Sequence, residues 1–398
     1  MKEKKYICSF CGKVVENVNK MVVSNENGKF VAICDECVDL SYHILNDGLE
    51  DSEINFDFKP SDVKAYLDKY VISQESAKIK AAVSVYNHFK RLKYNMKLKE
   101  NEDILDNVHN ICIGVTGSGK TLIWKTIAKM LNVPFVIWDT SNLSKTGYVG
   151  ADVTDILAMA YKEAEEDLEL AEKSIIILDE ADKMARKSGR SVAAYNDIGG
   201  ESVQHSLLKI LEGSKIEVPL AGKRSSNTET ILMDTSQMLF VLNGSFEGIE
   251  DIVKARVNKK RIGFGGEEKK YTIDDYYNMI TTEDLIDYGM LPEILGRAPS
   301  IIILNSLKEE DLIKILIEPK NAIVKQYEKM FKMDKVHLSF KDDSLKKIAQ
   351  FALKKKTNAR GLKSIVDQLL SPLMYKIPDN NKIDSIVISN NLKDLKLR

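Results

Sequence analysis

Net charge is what this 398-residue chain has least of: 58 Lys and Arg stand against 59 Asp and Glu, leaving −1 at pH 7. That near-balance removes any bulk electrostatic reason to expect nucleic acid or an anionic membrane as a partner. Long apolar runs are also missing. None approaches the roughly 20 residues needed to span a bilayer, and the basic opening MKEKKYICSFCG has no apolar segment of the kind that directs secretion. The expected compartment is the cytosol. Core material is not lacking, since 44% of residues are hydrophobic and 29% charged, an ordinary globular balance. The length predicts roughly two to three domains.

Cysteine is scarce, and four of the five are crowded near the start: Cys8, Cys11, Cys34 and Cys37, as CSFC and CDEC. Two CxxC knuckles at that separation predict a tetrahedral zinc site. Disulfides compete for the same residues, but a cytosolic chain keeps thiols reduced. A domain this small has little core, so the metal would supply much of its folding free energy. It carries few arginines and no basic stripe, which favours a protein-docking or dimerising module over a nucleic-acid binder. Cys112 stands apart and reads as a small buried hydrophobe.

The chain is organised around Ile111 to Thr121, ICIGVTGSGKT. An apolar strand leads into a glycine-rich loop in which Gly114, Gly117 and Gly119 let backbone N–H groups curl inward onto phosphate oxygens. Lys120 then supplies a point charge for the outer phosphates and the Thr121 hydroxyl can hold Mg²⁺. LIWKTIAKML continues at helical spacing, so a helix N-terminus faces the same anion. About sixty residues on, Ile175 to Leu178 read as a buried parallel strand ending in Asp179 and Glu180. In that place Asp179 can bind Mg²⁺ and Glu180 can orient the attacking water. Alone, an Asp-Glu pair at a strand end is commonplace; the upstream loop gives it meaning.

Residues 46–60 read as an acidic linker, Ser61 as a possible helix cap, Pro134 to Trp138 and Met238 to Leu242 as strands, and 151–170 and 199–213 as helices. Lys145 to Gly150, KTGYVG, places Tyr148 and Val149 between glycines, either an ordinary turn or a mobile loop presenting both side chains outward. Alternating strands and helices predict a doubly wound α/β sheet with ligands at the carboxyl ends of its strands. From Lys308 to Leu370 helical spacing dominates, with short strand candidates at 336–340 and 385–389.

The ordered set CSFC/CDEC, YVISQ, GVTGSGKT, GYVG, ILDEADK, ESVQHSLLKILEG, RIGFG, LPEILGR, EPKNAIVKQY and TNARGLKS resembles the ClpX family, AAA+ unfoldases that feed a ClpP-type peptidase. The resemblance implies an α/β fold of three parts: a treble-clef-like zinc domain (1–50), an AAA+ P-loop NTPase large domain (51–306) and a mainly helical small C-terminal domain (307–398). It implies a homohexamer with a central pore, ATP, Mg²⁺ and Zn²⁺ as cofactors, zinc-domain dimerisation, and protein substrates and adaptors as partners, with no membrane and no nucleic acid. Position by position, it places nucleotide at Val71, Ile72, Gly114, Val115, Thr116, Gly117, Ser118, Gly119, Lys120, Thr121 and Leu122. Arg360 matches the sensor arginine, and Arg297 the arginine finger that reaches a neighbour's nucleotide. Tyr148 and Val149 match the pore loop that grips polypeptide, Arg224 a pore-entrance loop, and Ile262, Gly263 and Phe264 the peptidase-docking loop. An Ile and a Phe isolated in VNKKRIGFGGEEKK suit an exposed anchor better than core.

Departures from the family pattern are local. Val115 stands for proline, Ser73 for glycine in YVISQ, Ala181 for isoleucine, and Asn243 for the first of two glycines, where it either contacts the γ-phosphate or caps the strand. Arg224-Ser225-Ser226 replaces RKH, which implies weaker recognition of tags ending in a carboxylate. Two other functions remain to be weighed. A nucleic-acid remodelling or clamp-loading ATPase shares the P-loop and would show salt-dependent DNA binding; a nucleotide-gated scaffold would bind ATP without turning it over.

Overall fold

The computed structural model describes residues 7–15, 18, 20–26, 29–38, 41, 58–95, 97, 103–143, 152–185, 198–220, 229–259, 271–355, 357–378 and 383–389. They fall into two compact units, Met1–Ile54 and Asn55–Arg398. In the first, β1 (Met21–Glu26) and β2 (Lys29–Cys34) form an antiparallel hairpin with Met21 opposite Cys34. Gly12, at φ 75°, turns the first knuckle so that its N–H donates to Cys8 O at 2.9 Å. Cys34 closes β2, and Cys37 lies in the short helix 35–38 that follows. The buried cluster of this unit consists of Cys8, Cys34 and Cys37, with Val18, Met21 and Ile33 packed against it. Among the described residues its core is therefore made largely of thiols.

The second unit is built on a five-stranded sheet: β3 (Asn110–Gly114), β4 (Phe135–Asp139), β5 (Ile175–Asp179), β8 (Leu239–Gly244) and β9 (Ser300–Leu304), in the order β4-β5-β8-β3-β9. All neighbours are parallel. Strands covered on both faces need near-continuous apolar runs, and every residue of β3 and β8 is buried. β3 is the pivot. After it the chain crosses to β4 at the far edge, while β9 lies on its other side, so the order reverses beside the carboxyl end of β3 and opens a crevice there.

An apolar core runs from Ile111 to Ala298 beneath and around this sheet. A second core starts at Leu307 and holds the helices Glu309–Ile317, Ile323–Met333, Asp342–Lys354 and Asn358–Lys376, with β10 (His337–Phe340) and β11 (Ser385–Ile388) paired in parallel. The α/β layer with a zinc unit before it and a mainly helical part after it is the expected architecture. Among the described residues no helix is long and apolar enough to cross a membrane.

Several local expectations need correction. The first helix of the second unit begins at Pro60, not after a Ser61 cap. Proline at the first helical position has φ already set, and Lys59 N–H donates to Asp62 Oδ2 at 2.9 Å to close the turn. The stretch 151–170 is two helices, Val153–Glu163 and Leu168–Glu172. Glu165 and Glu166 both take positive φ, and Asp167 Oδ1 accepts from Leu170 N–H at 3.1 Å, starting the second helix afresh. The hairpin β6 (Lys215–Pro219) with β7 (Thr230–Asp234) and the edge strand β9 were not anticipated.

Near the end of the helix Ile249–Lys259, Arg256 Nε and Nη2 donate to Asp284 Oδ1 and Oδ2 at 2.7 and 2.8 Å, with Asp284 buried. Burial pushes the Asp284 carboxyl up, but Arg256 and the Thr281 N–H outweigh it and hold it below the ordinary aspartate value. The folded-state value is the lower one, so the pair's contribution is present above the unfolded-state pKa and is lost as pH falls through the folded one. Asp284→Ala leaves the guanidinium without its carboxylate and is expected to cost about 3 kcal/mol, the low end for a buried pair because Arg256 keeps some contact with water. Urea melts at pH 7 and pH 3 check it: the wild-type advantage over the variant shrinks at the lower pH.

Candidate functional site

The crevice at the end of β3 holds a cavity of about 360 Å³ whose walls come from widely separated stretches. Thr116, Gly117, Gly119, Lys120, Thr121 and Leu122 supply one wall; Asp179, Glu180 and Asp182 supply a second from the end of β5. Gly244 and Ser245 contribute from the end of β8, and Ala359 and Arg360 from the start of the helix Asn358–Lys376. Larger hollows lie beside the helix Glu75–Asn95 (about 610 Å³, mostly apolar) and beside the helix Ile323–Met333 (about 700 Å³, lysine-rich). Neither contains a phosphate-binding or acidic-strand residue.

Glycine is required at two loop positions for different reasons. At Gly114 an added Cβ would come to 2.7 Å from Leu304 O, so β3 and β9 could not keep their spacing. At Gly117 φ is 80°, and a Cβ would meet Asn358 Cβ at 3.0 Å and Thr357 O at 3.1 Å. Asn358 Nδ2 donates to Thr116 O at 2.9 Å, so the loop tip is pressed against the start of the second core's longest helix. Lys120 Nζ donates to Gly114 O at 2.5 Å and Val115 O at 3.3 Å. Burial lowers its pKa below the lysine range, with Asp179 and Asp182 among the groups opposing that shift.

Ser118 is buried behind the loop, and its carbonyl accepts from Gln74 Nε2 at 3.3 Å. Gln74 also exchanges two bonds with the backbone of Asn305, Nε2 to Asn305 O at 2.8 Å and Asn305 N–H to Oε1 at 3.0 Å. It thereby ties the phosphate loop to the strand leading into the second core. Val71 and Ile72 lie just before it, outside the cavity lining, Val71 buried. Ser73, at φ 55°, occupies backbone space that suits the family's glycine, and its hydroxyl bonds Asp311 of the second core. Asn243 is fully buried; its Nδ2 is 3.5 Å from Thr121 Oγ1, and its Oδ1 has no hydrogen-bond partner among the described residues. Asp182 accepts from Ser245 N–H at 3.3 Å and Ser245 Oγ–H at 3.1 Å, tying the ends of β5 and β8 together.

Of the residues predicted for nucleotide, Thr116, Gly117, Gly119, Lys120, Thr121, Leu122, Asp179, Glu180 and Arg360 meet at one cavity, while Gly114, Val115 and Ser118 back the loop. Arg297 does not line it. It ends the helix Pro292–Arg297, partly exposed, with Nη2 4.0 Å from Glu212 Oε1. Tyr148, Val149, Arg224, Ile262, Gly263 and Phe264 lie outside the described residues. Gln74, Asp182, Ser245 and Asn358 escaped the sequence reading, because each acts through contacts with residues distant in the chain.

In the first unit the Sγ atoms of Cys8, Cys11, Cys34 and Cys37 all lie within 4.8 Å of one another. The Cys11 backbone N–H brings the Cys8 thiol down to about 6 against its burial, with Cys34 N–H also donating to its Sγ at 3.4 Å. Hydrogen bonding to Cys11, then burial, pushes Cys37 the other way. Four thiolates this close repel unless a cation lies between them, and an all-sulfur tetrahedral set suits Zn²⁺.

A P-loop at the switch point of a parallel sheet, paired with an acidic strand end and followed by a helical second core, defines a AAA+ ATPase, here with a four-cysteine zinc finger before it. Family models agree: residues 6–47 match the ClpX C4-type zinc finger, 106–301 the AAA domain (Cdc48 subfamily), and 307–387 the C-terminal, D2-small domain, of ClpB protein. The chain is 42% identical over 396 residues to the "ATP-dependent Clp protease ATP-binding subunit ClpX" of Treponema denticola, covering 97% of this chain and 93% of that protein. To the protein of the same name from Borrelia duttonii it is 41% identical over 388 residues, covering 96% and 89%. The chain belongs to the ClpX family. It is an ATP hydrolase that uses ATP with Mg²⁺ and carries Zn²⁺.

Proposed function

We propose that this chain is the unfolding motor of an ATP-dependent protease: a homohexamer that draws protein substrates through its central pore and delivers them to a ClpP-type peptidase. The observation that carries the reading is the meeting of Lys120, Asp179, Glu180 and Arg360 at one cavity between two cores, in a chain of the ClpX family. The domain divisions proposed are 1–50, 51–306 and 307–398.

Bound Mg²⁺ would draw negative charge from the terminal phosphates. Thr121 and Asp179 are the residues placed to hold it, and Lys120 leaves its loop carbonyls to pair with phosphate oxygens. Glu180 orients the attacking water, and Arg360 offers fixed positive charge from the second core. Arg297, outside its own subunit's cavity, serves the adjoining subunit's. Closing and opening the two cores around nucleotide moves Tyr148 and Val149 along the pore; Arg224 lies at its entrance, and Ile262, Gly263 and Phe264 dock the peptidase. Cys8, Cys11, Cys34 and Cys37 ligate zinc in a module that dimerises and receives substrates or adaptors.

With a ClpP-type peptidase, ATP and a tagged fluorescent folded protein, the expected result is ATP-dependent loss of fluorescence. Tyr148→Ala should abolish that loss while hydrolysis continues. ATP turnover with no unfolding of any tagged substrate, but with salt-dependent DNA binding, would replace this reading by the nucleic-acid remodelling ATPase.

A further inference from the structure

Glu180 sits in a conformation that its residue type does not favour. Its φ and ψ are 56° and 33°, in the left-handed region, where a side chain other than glycine carries a steric cost of roughly 1–2 kcal/mol. Such a residue persists only where its surroundings hold it. The holder is identifiable: Thr140 Oγ1 lies 3.0 Å from Asp179 O and 2.9 Å from Glu180 O, so one hydroxyl is shared between two successive carbonyls.

Two carbonyls in sequence can point at one donor only when the residue between them has helix-like φ and ψ of either hand; in extended backbone they point to opposite sides. The shared bond therefore selects the curled form of Glu180 over the extended one that would simply prolong β5. Thr140 is itself fixed. It is buried, directly follows β4, whose Asp139 is in register with Asp179, and opens a one-turn helix capped by Asp139 Oδ1, which accepts from Ser141 N–H at 2.9 Å and Ser141 Oγ–H at 2.6 Å. On the other side Glu180 O also accepts from Lys183 N–H at 2.9 Å. The side chain of Glu180, by contrast, is exposed, reaches the cavity and makes no hydrogen bond among the described residues.

We propose that Thr140 is a positioning residue for hydrolysis: its hydroxyl holds the Asp179–Glu180 backbone in the curled form that aims the Glu180 carboxylate into the nucleotide cavity. The proposal rests on the reading of Glu180 as the group that orients the attacking water. Thr140 does not line the nucleotide cavity, so it acts through the Glu180 backbone. Without its hydroxyl the Glu180 peptide is free to leave the left-handed region, which swings the carboxylate away while the phosphate loop and Lys120 stay in place.

The test compares Thr140→Val, which keeps shape and removes the hydroxyl, with Thr140→Ser, which keeps the hydroxyl, and Thr140→Ala, which removes both hydroxyl and methyl. Each is purified as the full chain and checked by thermal melting. The expected result is a kcat for ATP lowered about tenfold or more in the Val and Ala variants, with KM for ATP and Kd for ADP within about twofold of wild type and the Ser variant within about threefold in kcat. In a Glu180→Gln background, Thr140→Val should add no further loss, because both changes remove one unit of function. Wild-type kcat in the Val and Ala variants overturns the proposal. So does a Ser variant as slow as Val, which would assign the effect to packing, or a parallel fall in affinity and kcat, which would make Thr140 merely structural. Should Glu180→Gln itself keep full turnover, the reading of Glu180 fails instead.

Discussion

Glu180→Gln is expected to bind ATP as the wild type does and to hydrolyse it slower by about a hundredfold or more, the usual contribution of a positioned base. The substitution keeps the length and planarity of the side chain and removes only its charge and its capacity to take a proton. Nothing in the phosphate loop depends on it: Lys120 is held by Gly114 O and Val115 O, and Gly117 by the approach of Asn358. The nearest other carboxylate free to substitute is limited. Asp182 lines the cavity too, but its oxygens are engaged by Ser245, and Asp179 bonds the Glu180 N–H at 3.1 Å. Steady-state hydrolysis beside nucleotide binding on the same preparation is the measurement. Undiminished turnover would mean that water is oriented by some other group and would remove the role given to this residue.

Stripping zinc should unfold the first unit and leave the second folded. Among the described residues the buried cluster around the thiols holds Cys8, Cys34 and Cys37, with Val18, Met21 and Ile33 half-buried against them, so without metal that cluster offers little to offset chain entropy. Zinc-finger peptides draw about 10–16 kcal/mol of apparent free energy from the ion at neutral pH, several times what so small a core supplies. Colorimetric titration of released metal should find one zinc per chain. Limited proteolysis after chelation should then digest the segment up to about residue 54 while the remainder resists. Persistence of a protease-resistant first unit after metal loss would contradict this. A Cys34→Ser variant should behave like the stripped protein.

What could be read in advance follows from which signals are local. β3 and β5 announce themselves because a buried parallel strand must be an apolar run, and each run ends in residues whose chemistry is recognisable. β9 has the same run, Ile301 to Leu304, but nothing catalytic follows it, so it passed unremarked. In the hairpin β6–β7 only Val218 and Met233 are buried among residues that alternate with exposed ones, a weak pattern in short strands. The break at Glu165 and Glu166 runs against propensity, since glutamate favours helix. It is the cap at Asp167 that prevails. At the candidate site, Lys120, Asp179 and Glu180, which line one cavity, could be singled out because each stands in a motif whose residue types are read at their own positions. Thr140, Gln74 and Asn358 act through backbone carbonyls 39, 231 and 242 residues away, and no spacing rule reaches that far.

The press of Gly117 against Asn358 carries a mechanical consequence. The phosphate loop is one bearing surface of the joint between the two cores, and the part resting on it is the first turn of a 19-residue helix, a rod about 28 Å long. A tilt of about 5° at that fulcrum displaces the rod's far end by about 2.4 Å. Under the motor proposed above, gaining or losing a phosphate at the loop would work at the short arm of a lever, and the gearing between a small chemical displacement and a large one would be set by the length of that single helix.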